Sequence, residues 1–454
     1  MLQRKITKRI EDFYRDHPQK AMMIIGTRQV GKSFIIEDYA KKHYENVVKV
    51  DLIENPDYVS MFSDAKSAED VLLRLSALFG DQMVPGKTMI FFDEVQECKE
   101  LITQIKYLVQ DGTYDYILSG SLPGTVFKDI VSAPVGYMDI VEMYPLDFEE
   151  FAAANGVGQK VIDALRDSFE KKQPVDAFLH ERMLSLFELY LIVGGMPAAV
   201  STYLETKNLR KVAEEQSGII RLYRRDISKY DENNRLYLNE IFDLIPSELN
   251  AKNKRFILKS LNEHARFDKY YDSFLWLKNA GVAIPANVVD EPQVPLLLSK
   301  NQNLFKLFSN DVGLLAAQYG NEIQLKILQH ETTMNFGAIY ENIAAEELAA
   351  HGYAIYYYNS KKFGEIDFVI EDGGKVILIE IKSGKDYYRH NAMDHVLNHE
   401  SYGIDDGFVF CNGNVERAGK ITYYPIYMIM FLQKKDIPDE IMIESDFSDL
   451  NNLV

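Results

Sequence analysis

The sequence predicts an α/β protein in three parts: a parallel sheet with a helical lid over residues 1–210, a winged-helix-like unit over 211–320, and a second α/β unit over 321–454. Three observations point to this. Between residues 21 and 146 the apolar runs AMMIIG, VVKVDL, TMIFFDE, YDYILSGS and MDIVEMYPL alternate with helix-like segments. Such continuous runs mark strands buried on both faces of a parallel sheet. Residues 211–290 give short helices that close on the extended, Pro-containing VDEPQVPLLL, and the last third reads helix, three strands, helix, strand.

The first unit continues into DFEEFAAANGVGQKVIDALRDSFEKK and DAFLHERMLSLFELYLIVGGMPAAV, helical in period and broken at Gly194-Gly195 and Pro197, which reads as the lid. In the last unit Asp372-Gly373-Gly374 supplies a tight hairpin between two strands. At 454 residues and 47% hydrophobic the chain is long enough for separate cores. The charged opening MLQRKITKRIEDFY and the shortness of every apolar run leave no signal peptide or membrane span, so a cytoplasmic protein without membrane partners is expected. Cys98 and Cys411 have no neighbours at metal-ligand spacing and read as plain thiols. The net charge of −18 argues against wholesale coating of nucleic acid. It divides into about −8, +1 and −11 over the three parts, so any such surface belongs in the middle.

Gly26-Thr27-Arg28-Gln29-Val30-Gly31-Lys32-Ser33, with Phe34 beyond it, fits G-x-x-x-x-G-K-[ST] between an apolar strand and a helix. The glycines let backbone N–H groups fold around a β-phosphate, Lys32 reaches phosphate oxygens, and Ser33 holds Mg²⁺. Further on, Met89-Ile90-Phe91-Phe92 runs into Asp93-Glu94. An acidic pair there binds the hydrated Mg²⁺ through Asp93 and activates water through Glu94. Ser119 and Ser121 follow the next strand, and Ser119 is placed to position that water or touch the γ-phosphate. ATP and Mg²⁺ are the expected cofactors.

With these motifs the chain resembles prokaryotic AAA-like P-loop ATPases that carry a C-terminal winged-helix and nuclease-like domain. The resemblance rests on GTRQVGKS, FFDEVQ, LSGS, YPLDFEEF, GGMPAAV, LYRRDI, LKNAGV, FKLFSNDVGLL, GAIYENIAAEEL, EIDFVI and IEIKSGK, in that order. Members commonly have Gly-Arg where this chain has Gly136-Tyr137, which leaves Arg221, Arg224 or Arg225 as substitutes for an arginine finger.

The stretch from 252 to 278 carries Lys252, Lys254, Arg255, Lys259, Arg266, Lys269 and Lys278, a basic excess that could meet DNA phosphates. Tyr270, Phe274 and Leu277 are spaced as a core stripe, and Trp276 reads as core beside them. In the last third Asp367 lies on one strand and Glu380 and Lys382 share a face of the next, across the Gly-Gly hairpin. Two carboxylates and a lysine so placed can hold Mg²⁺ and orient water at a phosphodiester. This resembles the PD-(D/E)XK, or restriction-endonuclease-like, fold, and Glu341 on the preceding helix matches that family's additional acidic position. The reading is a Mg²⁺-dependent ATPase whose nucleotide state controls a winged-helix and nuclease-like module, acting on DNA or another nucleic acid. The alternative is a nucleotide-dependent switch or scaffold for a protein partner or a homo-oligomer, with an inactive nuclease-like domain.

Overall fold

In the computed structural model the described residues are 2–16, 19–120, 136–230, 235–251, 254–261, 267–320, 324, 326–327 and 336–434. Ser121, Lys252 and Arg266 fall outside them, as does the side chain of Lys269.

Five parallel strands form the first sheet: β1 (Ala21–Ile25), β2 (Asn46–Asp51), β3 (Thr88–Asp93), β4 (Asp115–Gly120) and β5 (Met138–Glu142). Their order is β2-β3-β4-β1-β5. The apolar runs are continuous because the sheet has a core on each face. Along β1, Met23 and Ile25 enter one core while Met22 and Ile24 enter the other. Inserting β4 between β1 and β3 separates the loop after β1 from the acidic pair after β3 and puts Ser119 between them.

Helices follow at Phe148–Ala154, Gln159–Lys171, Ala177–Val193, Pro197–Thr206, Leu209–Tyr230, Arg235–Asn250 and Phe267–Asn279. Asp147 and Glu150 close a reciprocal capping box at the first of these. Tyr270, Phe274, Trp276 and Leu277 are all buried, as a core stripe requires.

The second sheet has eight strands: β6 (Ala283–Val289), β7 (Lys300–Ser309), β8 (Tyr356–Ser360), β9 (Gly364–Asp372), β10 (Lys375–Ile381), β11 (Gly407–Cys411), β12 (Glu416–Ala418) and β13 (Ile421–Pro425). The order is β12-β13-β11-β10-β9-β8-β6-β7. Gly373 and Gly374, at φ 55° and 74°, make the two-residue β9–β10 turn with Asp372 opposite Lys375.

The sheet does not break at the 320/321 division read from the sequence. The extended segment VDEPQVPLLL, expected as a wing, instead mostly connects β6 to β7, and β6 pairs through Asn287–Val289 with Tyr356–Tyr358 of β8. One hydrophobic core likewise runs from Leu146 through the lid and the middle helices to Leu432. One end of this sheet also carries two strands, β12 and β13, that short charged or aromatic sequences did not announce. Cys98 and Cys411 are buried and free. Among the described residues no helix is long and apolar enough to cross a membrane.

Candidate nucleotide site and a C-terminal charge cluster

Gly26 leaves β1 at φ 150°, and a Cβ there would lie 2.3 Å from the Met143 carbonyl oxygen, so only glycine fits. Gln29 and Gly31, at φ 64° and 96°, curl the loop into the helix Lys32–His43. Val30 is buried, and Arg4 grips the loop from the amino-terminal segment, donating from Nη1 to the Val30 carbonyl at 3.1 Å and from Nε to Glu150 at 3.1 Å. Phe34 stands 57% exposed beside the loop.

Lys32 is buried rather than partly exposed as its role would suggest: it is 5% exposed, and Nζ donates to the carbonyls of Gly26 at 2.9 Å and Thr27 at 3.0 Å. A buried ammonium needs acceptors, and the loop's inward carbonyls supply them. Burial lowers its pKa, against the opposing pull of Glu94 and Asp93.

The acidic pair sits across from it. Asp93 is 2% exposed; its Oδ1 accepts from Ser33 Oγ at 3.0 Å and from Ser119 Oγ, and its Oδ2 faces Lys49 Nζ at 3.1 Å. Glu94 takes a left-handed turn at φ 57°, its N–H donates to Ser119 Oγ at 3.3 Å, and its carboxylate accepts from Gln96 Nε2 at 2.5 Å. Ser33 and Asp93 thus offer adjacent hard oxygen donors, which fits a Mg²⁺ ion. Lys49 and Gln96 were not anticipated. The signals were a lone lysine inside the run VVKVDL and a glutamine two residues after Glu94.

The loop is also tied to the helix Leu209–Tyr230. Thr27 Oγ1 donates to Tyr223 Oη at 2.9 Å, Asn310 Nδ2 donates to the same oxygen at 3.2 Å, and Arg28 pairs with Asp226 at 2.7 Å. Arg221, Arg224 and Arg225 lie on the exposed face of that helix, with Arg224 on Asp243. Tyr137 lies just before β5 at the opposite end of the sheet, its carbonyl taking the N–H of Ala21. Beside the loop a cavity of about 720 Å³ is lined by Thr27, Arg28, Leu52, Glu97, Tyr223 and Trp276.

Next to Asn310, Asp311 caps the helix Val312–Tyr319 and accepts from the Gly195 N–H at 2.7 Å. Burial outweighs these donors and pushes its pKa from 3.8 up to about 6. The unfolded chain then ionises first, so Asp311's contribution to stability falls as pH rises from about 4 to about 6 and is level above that. Urea unfolding of the parent and Asp311→Asn at several pH values should show their stability difference shrinking across that window; a difference independent of pH would contradict it.

In the C-terminal sheet Asp367, Glu380, Lys382 and Glu341 do come together. Asp367 accepts from the Ile381 N–H at 2.9 Å, and Lys382 Nζ lies 2.7 Å from Glu380. Two more lysines join them. Lys254 pairs with Oε1 of Glu341, and Lys306, fully buried on β7, lies 3.5 Å from Oε2 of Glu341 and 2.8 Å from Glu365. Burial and the neighbouring Asp367 push Glu380 up to about 8. Burial also acts upward on Asp367, but Lys254, Lys306 and Lys382 together hold it below the ordinary range. Among the described residues no group of three or more His, Cys, Asp or Glu is arranged to hold a metal ion. The C-terminal carboxylates therefore do not fit a divalent ion as they stand, because ammonium groups already face them. Of the basic stretch once considered for DNA, Lys254 turns inward here and Arg255 lies 6.0 Å from the ring of Tyr357, while Lys259 and Lys278 are exposed.

Residues 18–152 match the family model described as AAA domain. This region is a P-loop ATPase domain of the AAA type. Residues 184–325 and 336–429 match two models described as domains of unknown function, DUF8612 and DUF4143. No curated protein matches the chain. Among solved structures, the Walker-type ATPase PABY2304 of Pyrococcus abyssi is similar at 15% identity and TM-score 0.45, covering 70% of this chain and 96% of that one. The Orc1 protein of Aeropyrum pernix, solved in complex with DNA, is similar at 12% identity and TM-score 0.29, covering 71% and 93%. PCH-2 of C. elegans is similar at 14% identity and TM-score 0.26, covering 45% and 60%.

Proposed function

We propose that this chain binds and hydrolyses ATP in a Mg²⁺-dependent manner and passes its nucleotide state to the C-terminal sheet. The observation that carries the second half is the pair of contacts from adjacent loop residues, Thr27 to Tyr223 and Arg28 to Asp226. Residues that border the phosphates are thereby held by a helix outside the ATPase sheet.

For the chemistry, the loop N–H groups and Lys32 bind the phosphates, Lys32 exchanging its carbonyl partners for phosphate oxygens. Ser33 and Asp93 hold Mg²⁺, which neutralises charge on the transferred phosphoryl group when bound. Glu94 accepts the proton of the attacking water, Gln96 fixes its carboxylate, and Ser119 braces both acidic residues from the intervening strand. Lys49 faces Asp93 and compensates its buried charge.

For the output, nucleic-acid cleavage and a binding switch differ at the C-terminal cluster. Three ammonium groups among its carboxylates favour the switch, with a nuclease-like constellation whose metal chemistry is held off.

Tyr223→Phe tests the coupling. It keeps the ring and removes one hydroxyl with two donors, a loss of about 1 kcal/mol. ATP affinity should change little, while the ATP-dependent change in hydrogen exchange over residues 336–434 shrinks. An exchange difference as large as the parent's would refute the route through Tyr223.

A further inference from the structure

We infer that Lys254 is a removable cationic latch that keeps divalent metal out of the Glu341–Asp367–Glu380 cluster. This rests on reading those residues with Lys382 as a nuclease-like constellation, and it adds what regulates them.

The two extra lysines are not equivalent. Lys306 belongs to the fold: it projects from the β-strand, is fully buried, divides itself between Glu341 and Glu365, and lies 5.0 Å from the face of Tyr357. Lys254 comes from the short connection between the helix ending at Asn250 and the turn at Leu258. Its side chain is 22% exposed, whereas Glu341 is 2% exposed, so it enters the cluster from the surface side. Its backbone adopts φ 48°, a left-handed conformation that disfavours a residue with a Cβ. The ion pair to Glu341 opposes that local preference, so the pose is one that competing interactions can release.

With Lys254 in place both oxygens of Glu341 face ammonium groups, Asp367 faces the Ile381 N–H, and Glu380 faces Lys382. A metal ion would have to displace at least one of these cations; of the two lysines outside the nuclease-like constellation, Lys254 at 22% exposed has a path to solvent and Lys306 at 0% has none. The connection that bears it also leads back to the nucleotide site. The helix Arg235–Asn250 packs on Leu209–Tyr230, where Arg224 meets Asp243, and the latter helix holds Thr27 and Arg28. A shift of these helices on nucleotide exchange would act directly on the segment carrying Lys254.

The test uses the full chain without nucleotide, Mn²⁺ alone as probe, and free Mn²⁺ measured by electron paramagnetic resonance. The parent should show no Mn²⁺ binding that Asp367→Asn removes. Lys254→Met, which keeps the aliphatic stem and loses the charge, should bind Mn²⁺ at least about tenfold more tightly. Adding Asp367→Asn to it should abolish the gain. Lys254→Arg should stay closed like the parent, and thermal unfolding of each variant confirms a folded chain. Equal Asp367-dependent binding in parent and Lys254→Met would overturn the proposal, and so would the absence of any gain in a folded Lys254→Met. Failure of the nucleotide-coupling reading would appear separately, in the exchange behaviour of Tyr223→Phe, with the Mn²⁺ result standing.

Discussion

Glu94→Gln should slow ATP turnover by roughly 10²- to 10⁴-fold, the usual contribution of a positioned general base, while leaving ATP binding nearly intact. The substitution keeps the shape of the side chain and the backbone turn at φ 57°, and the amide cannot take a proton from water. Gln96, which donates to the carboxylate at 2.5 Å, would meet an amide instead and lose part of that contact. Phosphate release at saturating ATP, beside a nucleotide titration, separates the two effects. Turnover at the parent rate would assign activation of the water to another residue.

Lys32→Ala should cost about 10- to 100-fold or more in ATP affinity, since hydrogen bonds from a charged donor contribute about 1.5–3 kcal/mol. Hydrolysis should be lost with it. The buried state of the side chain adds a second consequence. Without Nζ the carbonyls of Gly26 and Thr27 lose their donor, so the loop itself loosens and thermal stability falls along with affinity. Nucleotide titration and thermal unfolding of the same sample measure both. Parental affinity in the variant would mean that the phosphates bind elsewhere.

The parts of the site that sequence made legible are those whose geometry is local. Glycines at Gly26 and Gly31, a lysine and serine opening a helix, and an acidic pair ending an apolar strand each announce their structure over a few residues. The Gly373-Gly374 turn is of the same kind. Lys49 was not legible, because its meaning depends on the register that sets β2 beside β3 with Asp51 opposite Asp93. Tyr223 and Asp226 meet the loop across nearly two hundred residues of chain, and nothing in LYRRDI distinguishes the face carrying them from the face carrying the arginines. In the sequence Lys254 is one of a basic stretch that could meet DNA phosphates, and Lys306 is a single lysine inside LFKLF. Their shared target, Glu341, comes near only after tertiary packing. Near 320 a helical pattern gives way to a new one, and the parallel pairing of β6 with β8 leaves no turn signal to mark the continuity of the sheet.

The parallel seam between β6 and β8 has a consequence for biosynthesis. As the chain leaves the ribosome, β6 and β7 can close as a hairpin well before Tyr356 emerges, leaving the N–H and C=O groups of Asn287–Val289 facing outward on a free edge. Only translation of the following helix and of β8 covers that edge, so the nascent protein passes through an interval in which an adhesive strand is open to other chains. Slow elongation or premature termination between these points would favour aggregation, while folding of the ATPase sheet, whose strands all lie earlier in the chain, proceeds without waiting.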